Sequence, residues 1–303
     1  MNKIKKLGIV ITDGVGFRNF IMSDFIKEAT LQFDRISIYS GLPIGCYPGF
    51  DSAKIEVKEL PLFVEGKATW FFRKWKELAH LQHHREFYGM KDNLISGYPK
   101  NNSIRSLLTK CIYGIARFLH SNTSIFFAEK MQFLSFSNSK ISKEYIHLLQ
   151  KDQPDHLFFT HQRPPYLAPF LYAAIQNKIP TSTFIFSWDN IASKGRMAAN
   201  FDFYLVWSDL MKRDLLQFYT SINEVQIKVV GTPQFVPYVM DDYKLSKLYF
   251  EDIKGGETIE ESAQIFMNII SGKGTDAQQN VVCANAAIAI ATVPQCSPLE
   301  GFE

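Results

Sequence analysis

Short apolar runs and helical patterns alternate along the first part of the chain. Residues 7–12 form a continuous apolar run, Gly14 and Gly16 follow, and residues 17–31 carry apolar side chains at helical spacing. Residues 35–39 have the pattern of a second strand. This order of strand, glycine loop, helix and strand predicts the opening of an α/β domain with a doubly wound, mostly parallel, Rossmann-like sheet.

A third strand and a long helical region follow, and after them the alternation of strands and helices returns. Residues 55–60 alternate between apolar and polar side chains, which predicts a third strand, and residues 69–150 are predicted to be mostly helical. Further strands are predicted at residues 156–160, 181–186, 203–207 and 226–230. Ser208 is predicted to cap the helix that follows the sixth strand.

Polar residues collect where these strands end. The four clusters are Asp13-Gly-Val-Gly, His161-Gln-Arg, Ser187-Trp-Asp-Asn with Lys194-Gly-Arg, and Gly231-Thr-Pro-Gln. Ligand-facing loops of a doubly wound sheet lie beyond the carboxyl ends of its strands. A fold requires tight turns at these places but does not require His, Arg, Asp, Asn and Lys, so the clusters indicate a binding or catalytic site.

The first cluster has three interpretations. Gly14 and Gly16 begin a helix whose amides and dipole favour an anion, so they are candidates for contact with a substrate or a diphosphate. Asp13 is a candidate general base that deprotonates a substrate hydroxyl. Asp before Gly is also a good turn composition, so a plain tight turn stays open.

The next two clusters supply further candidates. His161 is a second candidate base, and Arg163 can hold a phosphate through two parallel hydrogen bonds. Asp189 and Asn190 can bind substrate hydroxyls, or they can cap the helix that follows them.

Three other features have a functional and a structural interpretation. Lys194 is a candidate substrate-binding residue, although Lys194 and Arg196 also fit a solvated loop. His80 and His84 have a spacing compatible with metal, but no catalytic HExxH pattern accompanies them, so no metal is expected. The aromatic and basic stripe around residues 70–75 can dock on an anionic membrane or pack inside the domain.

Composition changes sharply near residue 254. Residues 1–253 contain 31 Lys and Arg against 24 Asp and Glu, whereas residues 254–303 contain two against six. Only two of the 43 aromatic residues lie in the later segment. Such a shift marks a domain boundary or a fusion. We predict a domain over residues 1–240, a junction over residues 241–253, and a helical appendage over residues 254–303.

The appendage has its own local signals. Thr258 with Glu261, and Thr275 with Gln278, form two capping-box patterns, and Gly272 between them can end the first helix. Two helices joined by a short turn are therefore predicted. The Gly-Lys-Gly-Thr of this turn follows a helix and lacks the first glycine of a phosphate-binding loop, so it does not predict a nucleotide site.

Bulk properties narrow the function classes. The net charge of +3 and the absence of long basic runs give no indication of a nucleic-acid partner. Four scattered cysteines show neither zinc spacing nor a disulfide framework. No apolar stretch is long enough to span a membrane. A cytoplasmic location is expected, with peripheral contact at the inner membrane face as an alternative, and no cofactor is expected.

The strand-end clusters carry a resemblance to bacterial GT-B glycosyltransferases. Residues 158–174 read FFTHQRPPYLAPFLYAA, residues 184–219 read FIFSWDNIASKGRMAANFDFYLVWSDLMKRDLLQFY, and residues 229–235 read VVGTPQF. Together, residues 1–250 resemble the N-terminal, acceptor-binding domain of enzymes linked to surface-polysaccharide synthesis. The resemblance implies sugar transfer from a nucleotide-sugar donor to a saccharide or lipid-linked acceptor.

The last segment resembles a different enzyme. The phrase KGGETIEESAQIFMNIISGKGTDAQQNVVCANAAIAIAT, at residues 254–292, is similar to a C-terminal segment of anthranilate phosphoribosyltransferase. That enzyme's glycine-rich diphosphate loop and acidic metal-binding pair lie upstream of the matching segment and have no visible counterpart here. A GT-B donor domain would be expected at this place, so nucleotide-sugar binding is expected only if a donor domain is supplied. The chain alone is expected to be inactive; a non-catalytic binding protein and a fragment of the tryptophan-pathway enzyme are the alternatives.

Overall fold

A computed structural model describes residues 4–50, 52–61, 63–233, 256 and 258–291. The predicted junction at residues 241–253 lies outside the described residues, as do Cys296 and Phe302. The chain divides into two compact units, Met1–Gly231 and Thr232–Glu303. The predicted domain limits at residues 240 and 254 stay predictions.

The first unit contains a seven-stranded parallel sheet, which confirms the predicted fold class. The strands are β1 (Lys6–Ile11), β2 (Arg35–Ser40), β3 (Ile55–Glu59), β4 (His156–Phe159), β5 (Thr181–Phe184), β6 (Phe203–Val206) and β7 (Ile227–Val229). Their order across the sheet is β3-β2-β1-β4-β5-β6-β7. In this doubly wound arrangement the strand order reverses at β1, because β2 and β3 lie on one side of it and β4 to β7 lie on the other.

Helices cover both faces of the sheet. They are α1 (Gly14–Phe20), α2 (Asp24–Gln32), α3 (Lys67–His83), α4 (Tyr88–Ser96), α5 (Ile104–Phe118), α6 (Asn122–Phe136), α7 (Lys140–Asp152), α8 (Ala168–Gln176), α9 (Asp189–Ala192) and α10 (Asp209–Phe218). Neighbouring residues of β1 face opposite sides because side chains alternate along a strand. Ile9 belongs to the core beneath α1 and α2, whereas Val10 belongs to the core that includes residues of α3 to α8.

One predicted helix is divided in two. The apolar spacing over residues 17–31 predicted a continuous helix, but α1 ends at Phe20 and α2 begins at Asp24. The Ser23 hydroxyl donates to the carbonyl of Asn19 at 2.7 Å and accepts from the amide of Phe25 at 3.3 Å. Ser23 thus contacts the end of the first helix and caps the second. Hydroxyl side chains often form such hydrogen bonds to nearby backbone groups, and these bonds compete with continuation of the helix.

The stripe on α3 packs largely inward. Trp75 is buried, its indole Nε1 donates to the carbonyl of Leu119 at 3.2 Å, and its ring lies 5.9 Å from that of Phe127. Trp70 is half-buried, with the guanidinium of Arg105 over its ring. Peripheral membrane contact stays a prediction.

The described part of the second unit consists of two helices, α11 (Ile259–Ile270) and α12 (Asp276–Ala291). Thr258 accepts from the amide of Glu261 at 3.1 Å, which confirms the first predicted cap. Thr275 and Gln278 exchange two hydrogen bonds, which confirms the second capping box. Gly272 has a φ of 73° just after α11, the left-handed conformation that glycine adopts without strain.

Candidate functional site

The reversal of strand order brings two polar loops together. Asp13 follows β1, and His161 follows β4, which lies beside β1 although nearly 150 residues separate the two loops in the sequence. The carboxylate Oδ2 of Asp13 lies 4.0 Å from the imidazole Nε2 of His161. In sheets of this type the crevice at this position is the usual ligand site. We refer to the space above these two side chains as the Asp13–His161 crevice.

Asp13 caps α1 and keeps part of its carboxylate available. Its Oδ1 accepts from the amide of Gly16 at 2.9 Å, and its Oδ2 accepts from the hydroxyl of Thr12 at 3.0 Å. Each carboxylate oxygen can accept about two hydrogen bonds, so two of about four positions are used. Since 31% of the side chain is exposed, Asp13 can still accept a hydrogen bond from a ligand hydroxyl.

The glycine loop is adapted to this cap. The amide of Gly16 already donates to Asp13, so the carboxylate stands where the sequence suggested an external anion. A Cβ added at Gly16 would overlap Oγ1 of Thr160 and lie 2.9 Å from its Cβ. A Cβ at Gly14 would meet open space. Gly16 is thus required for the close approach of α1 to the end of β4, whereas Gly14 borders open space.

His161 is held in one orientation as a neutral imidazole. Its Nδ1 accepts from the backbone amide of Arg163 at 3.0 Å, which leaves the proton of the neutral ring on Nε2, facing Asp13. Burial lowers the pKa of His161 to about 4; the carboxylate of Asp13 opposes this effect and Arg163 reinforces it. The ring packs 4.3 Å from that of Phe186. At neutral pH, therefore, an uncharged ring presents an N–H to the carboxylate.

Arg163 joins this loop to the segment after β5. Its Nη1 donates to the carbonyl of Gly195 at 2.8 Å. The amide of Ala198 donates to the carbonyl of Gln162 at 3.1 Å, so two hydrogen bonds tie the loop to residues 195–198. Part of the guanidinium that was predicted to hold a phosphate is thus engaged with backbone.

Asp189, Asn190 and Lys194 form a second cluster beyond β5. Oδ1 of Asp189 accepts from the hydroxyl of Ser187, and Nζ of Lys194 lies 3.8 Å from Oδ2 of Asp189, with both charged side chains partly exposed. Asn190 is buried, and its Nδ2 has no hydrogen-bond partner among the described residues. The helix-capping alternative is wrong here, because α9 starts at Asp189 itself and has no side-chain cap.

A buried polar cluster lies beside the tied segment and was not predicted. It contains Lys76 and His80 of α3, Glu129 of α6, and Arg196. Arg196 is 3% exposed, its Nε lies 3.3 Å from Glu129, and its guanidinium stacks over the ring of Tyr219. The solvated-loop interpretation is therefore wrong for Arg196. Spacing of four residues placed Lys76 and His80 on one helix face, but the sequence does not reveal that this face points inward.

Two further properties of the described residues bear on other functions. Among them, no group of three or more His, Cys, Asp or Glu side chains is arranged to hold a metal ion. No helix within the described ranges combines the length and the apolar character required to cross a bilayer.

Comparisons with known proteins support a relationship for a short segment. No family model matches the chain, and no solved structure matches it. A 63-residue segment is 67% identical to anthranilate phosphoribosyltransferase of Flavobacterium johnsoniae, covering 21% of this chain and 19% of that protein. The same enzyme of Flavobacterium psychrophilum is 59% identical over 63 residues, and that of Christiangramia forsetii is 54% identical over 61.

These matches support the resemblance to anthranilate phosphoribosyltransferase over a short segment only. The resemblance of residues 1–250 to GT-B glycosyltransferases stays a prediction. The chain spans about a fifth of the length of the curated relatives it matches. Residues 254–303 number 50, so a match of 63 residues includes at least 13 residues outside them. The similar segment is therefore longer than the segment that the change in composition marks. The GT-B resemblance of residues 1–250 has no support in the comparisons. A segment of this chain is similar to anthranilate phosphoribosyltransferase, and its larger α/β unit is described by its fold alone.

Proposed function

We propose that the first unit binds a hydroxyl-bearing acceptor at the Asp13–His161 crevice, as the acceptor half of a GT-B-like glycosyltransferase. The observation that carries this proposal is the 4.0 Å approach of Asp13 to the N–H of a neutral His161 at the reversal of strand order. A carboxylate with unused acceptor positions suits an incoming hydroxyl. The strand-end motifs of the sequence agree with this class of enzyme.

Asp13 is the better candidate for the base, and His161 for the residue that orients it. The Nδ1 lone pair of His161 is occupied by the amide of Arg163, and its Nε2 carries the proton. Neither nitrogen is ready to accept a proton, whereas Oδ2 of Asp13 is. In a complex, the imidazole N–H would hold the carboxylate or the acceptor oxygen in place, since catalytic hydrogen bonds often tighten when substrate binds.

The chain by itself is proposed to bind an acceptor without transferring sugar. After Gly231, where the GT-B resemblance would place a donor-binding domain, the chain carries a segment similar to another enzyme. A nucleotide sugar would therefore need a donor domain supplied from elsewhere. Peripheral attachment to a membrane, which would bring a lipid-linked acceptor close, is part of this proposal.

The test is equilibrium binding of soluble hydroxyl compounds, both methyl glycosides and phenols, without a nucleotide sugar. Trp188 is 65% exposed in the loop after β5 and can report binding by its fluorescence. Asp13→Asn retains an oxygen for the amide of Gly16 but removes the charge, and is expected to weaken binding about tenfold, the value of one hydrogen bond to a charged group. Asp24→Asn, at an exposed position at the start of α2, is the matched control and should bind as the unmodified chain does.

Transfer assays separate this proposal from a non-catalytic binding protein. We expect binding without transfer when nucleotide sugars are added to the chain alone. Transfer should appear when a GT-B donor domain is supplied, and should be lost with Asp13→Asn. If binding is unaffected by Asp13→Asn and no donor domain restores transfer, the chain is a binding protein of another kind.

A second candidate function rests on the 67% identity of the matched segment. Phosphoribosyl transfer to anthranilate is the reaction of the matching enzyme, but the described part of residues 254–303 comprises only Gly256, Thr258, α11, α12 and the turn between the helices. We expect no phosphoribosyl anthranilate from the purified chain with phosphoribosyl diphosphate and Mg²⁺. Formation of phosphoribosyl anthranilate would make this second candidate the leading one. Sequencing one genomic clone across codons 245–260 shows whether the two parts of the chain are encoded together.

A further inference from the structure

A cavity opens directly beside the crevice, at the carboxyl ends of β1, β2 and β3. Its volume is about 400 Å³, within the range of small-molecule sites. Four aromatic rings line it, those of Phe63, Tyr145, Tyr166 and Phe170. Tyr145 and Phe170 are almost wholly buried, whereas Tyr166 is 37% exposed and stands on the solvent side.

The cavity is continuous with the proposed base. Thr12 lines the cavity, and its hydroxyl donates to Oδ2 of Asp13 at 3.0 Å. The hydroxyl of Tyr166 donates to the carbonyl of Thr12. Burial raises the pKa of Tyr166, and the nearby carboxylate of Asp13 raises it further, which agrees with the closeness of the two groups. A ligand seated in the cavity can therefore present a hydroxyl to Asp13.

The lining favours an uncharged ring. Glu59 is the one charged residue among the described residues that border the cavity, and its Oε2 accepts from the amide of Ile44 at 3.0 Å. A carboxylate at the border repels phosphate and other anions. The hydroxyl of Tyr145 donates to the carbonyl of Pro61 at 2.9 Å, which leaves few polar groups facing the interior. Aromatic walls with few polar groups bind flat apolar rings.

We infer that this cavity binds an uncharged aromatic ring of the acceptor, so that the acceptor is an aryl compound whose hydroxyl reaches Asp13. The inference rests on the proposed function for the role of the hydroxyl. Binding in the cavity is nevertheless a separate property, because it requires no sugar transfer.

The test compares two ligands that share one ring system. The fluorescent phenol 4-methylumbelliferone is titrated with the full chain at a pH below its own pKa, and 4-methylumbelliferyl phosphate is titrated in parallel. We expect the phenol to bind about tenfold more tightly than the phosphate, because Glu59 opposes the anion. Methyl β-glucoside, which lacks the aromatic ring, should bind more weakly than the phenol and should not displace it.

Two glycines provide a matched pair of variants. A Cβ at Gly41 would lie 3.6 Å from the ring of Tyr166 with no closer contact than 3.5 Å, so a larger side chain can be built there against the cavity wall. Gly41→Leu is expected to weaken phenol binding at least about tenfold by filling the cavity. Gly45 lies nearby, outside the lining, and its Cβ would meet open space. Gly45→Leu should bind the phenol as the unmodified chain does.

A third variant tests the charge without changing the shape. Glu59→Gln keeps an oxygen for the amide of Ile44, and it should reduce the preference for the phenol over its phosphate while leaving phenol affinity unchanged. Equal binding of phenol to Gly41→Leu and Gly45→Leu, both with native circular dichroism, would overturn the inference, as would tighter binding of the phosphate. Binding of methyl β-glucoside without binding of the phenol would also overturn the inference, but it would leave the proposed function standing. Phenol binding without any sugar transfer in the donor-domain assay would overturn the proposed function, but it would leave the inference about the cavity standing.

Discussion

The ammonium group of Lys76 in α3 donates to the carbonyl oxygen of Ala198 at 2.5 Å, inside the protein. This bond holds the far end of the segment that Arg163 and Gln162 tie to the His161 loop. A wholly buried lysine is costly unless it is paired, so its contacts determine how that segment is positioned. Burial lowers the pKa of Lys76 to about 8, while Glu129 opposes this effect and Arg196 reinforces it.

Lys76 should make stability rise with pH in an alkaline interval. The folded chain releases this proton near pH 8 and the unfolded chain near pH 10.5, so the unfolded state binds more protons between these values. The free energy of unfolding should therefore increase with pH there, by at most about 1.4 kcal/mol per pH unit. Urea unfolding at several pH values in this interval measures the slope, which Lys76→Met should remove.

Lys140 offers the control for that experiment. Its side chain is 93% exposed and lies 3.9 Å from Glu144, so Lys140→Met should leave the slope unchanged. If Lys76→Met does not fold, Lys76→Gln retains a donor for the carbonyl of Ala198 and still removes the titration. The same alkaline slope in the Lys76 variant and the unmodified chain would contradict the prediction.

His80 should destabilise the chain as the pH falls. It is wholly buried without a hydrogen-bond partner among the described residues, and burial, then Arg196 and His84, hold its pKa well below 6.5. Below pH 6.5 the unfolded chain takes up a proton that the folded chain does not, so the free energy of unfolding decreases, by up to about 1.4 kcal/mol per pH unit. His80→Leu should reduce this loss and leave stability at neutral pH equal or higher, since it removes an unpaired buried polar group.

Denaturant unfolding from neutral to acid pH tests the His80 prediction. His147→Leu, at an exposed position of α7, is the comparison and should not alter the acid loss. Some acid loss should persist in His80→Leu, because the pKa values of His84 and His161 are also lowered to about 4. An acid loss that is identical in all three proteins would show that His80 is not the source.

Gly16 and Thr160 should be energetically coupled. Gly16→Ala places a Cβ against the side chain of Thr160 and should cost about 1–3 kcal/mol of unfolding free energy, the usual cost of overpacking. Thr160→Ala alone should cost less, through loss of the 3.0 Å bond from its hydroxyl to the carbonyl of Val10. In the double variant the overlap with Oγ1 is removed and only the contact with Cβ at 2.9 Å is left, so its loss should be smaller than the sum of the two. Additive losses in a urea-unfolding double-mutant cycle would contradict the close approach.

The two described helices of the second unit should exchange their amide hydrogens rapidly. Phe266, Met267 and Ile270 of α11 are each more than half exposed, so little apolar burial stabilises this pair. Isolated short helices are marginal in water even with good caps. Hydrogen-exchange mass spectrometry should show much weaker protection in α11 and α12 than in α3. Protection of α11 that equals that of α3 would instead indicate a stable, adapted appendage.

Local patterns sufficed for most elements of the fold. All seven strands were predicted within about two residues, because continuous apolar runs and flanking turn residues are short-range signals. The caps at Ser208, Thr258 and Thr275 were predicted for the same reason, as each depends on residues three positions away. The break at Ser23 was missed because apolar spacing continues across it.

The sequence by itself determined which polar residues follow the strands, and so it selected Asp13 and His161 as candidates. Only the tertiary structure decided that β1 and β4 are neighbours and that these two side chains lie 4.0 Å apart. It also decided that Lys76 and Arg196 are buried, and that Asn190 lies inside without serving as a cap. The physical reason is that strand order and burial depend on contacts between residues distant in the chain, whereas strand formation and capping depend on neighbours within a few positions.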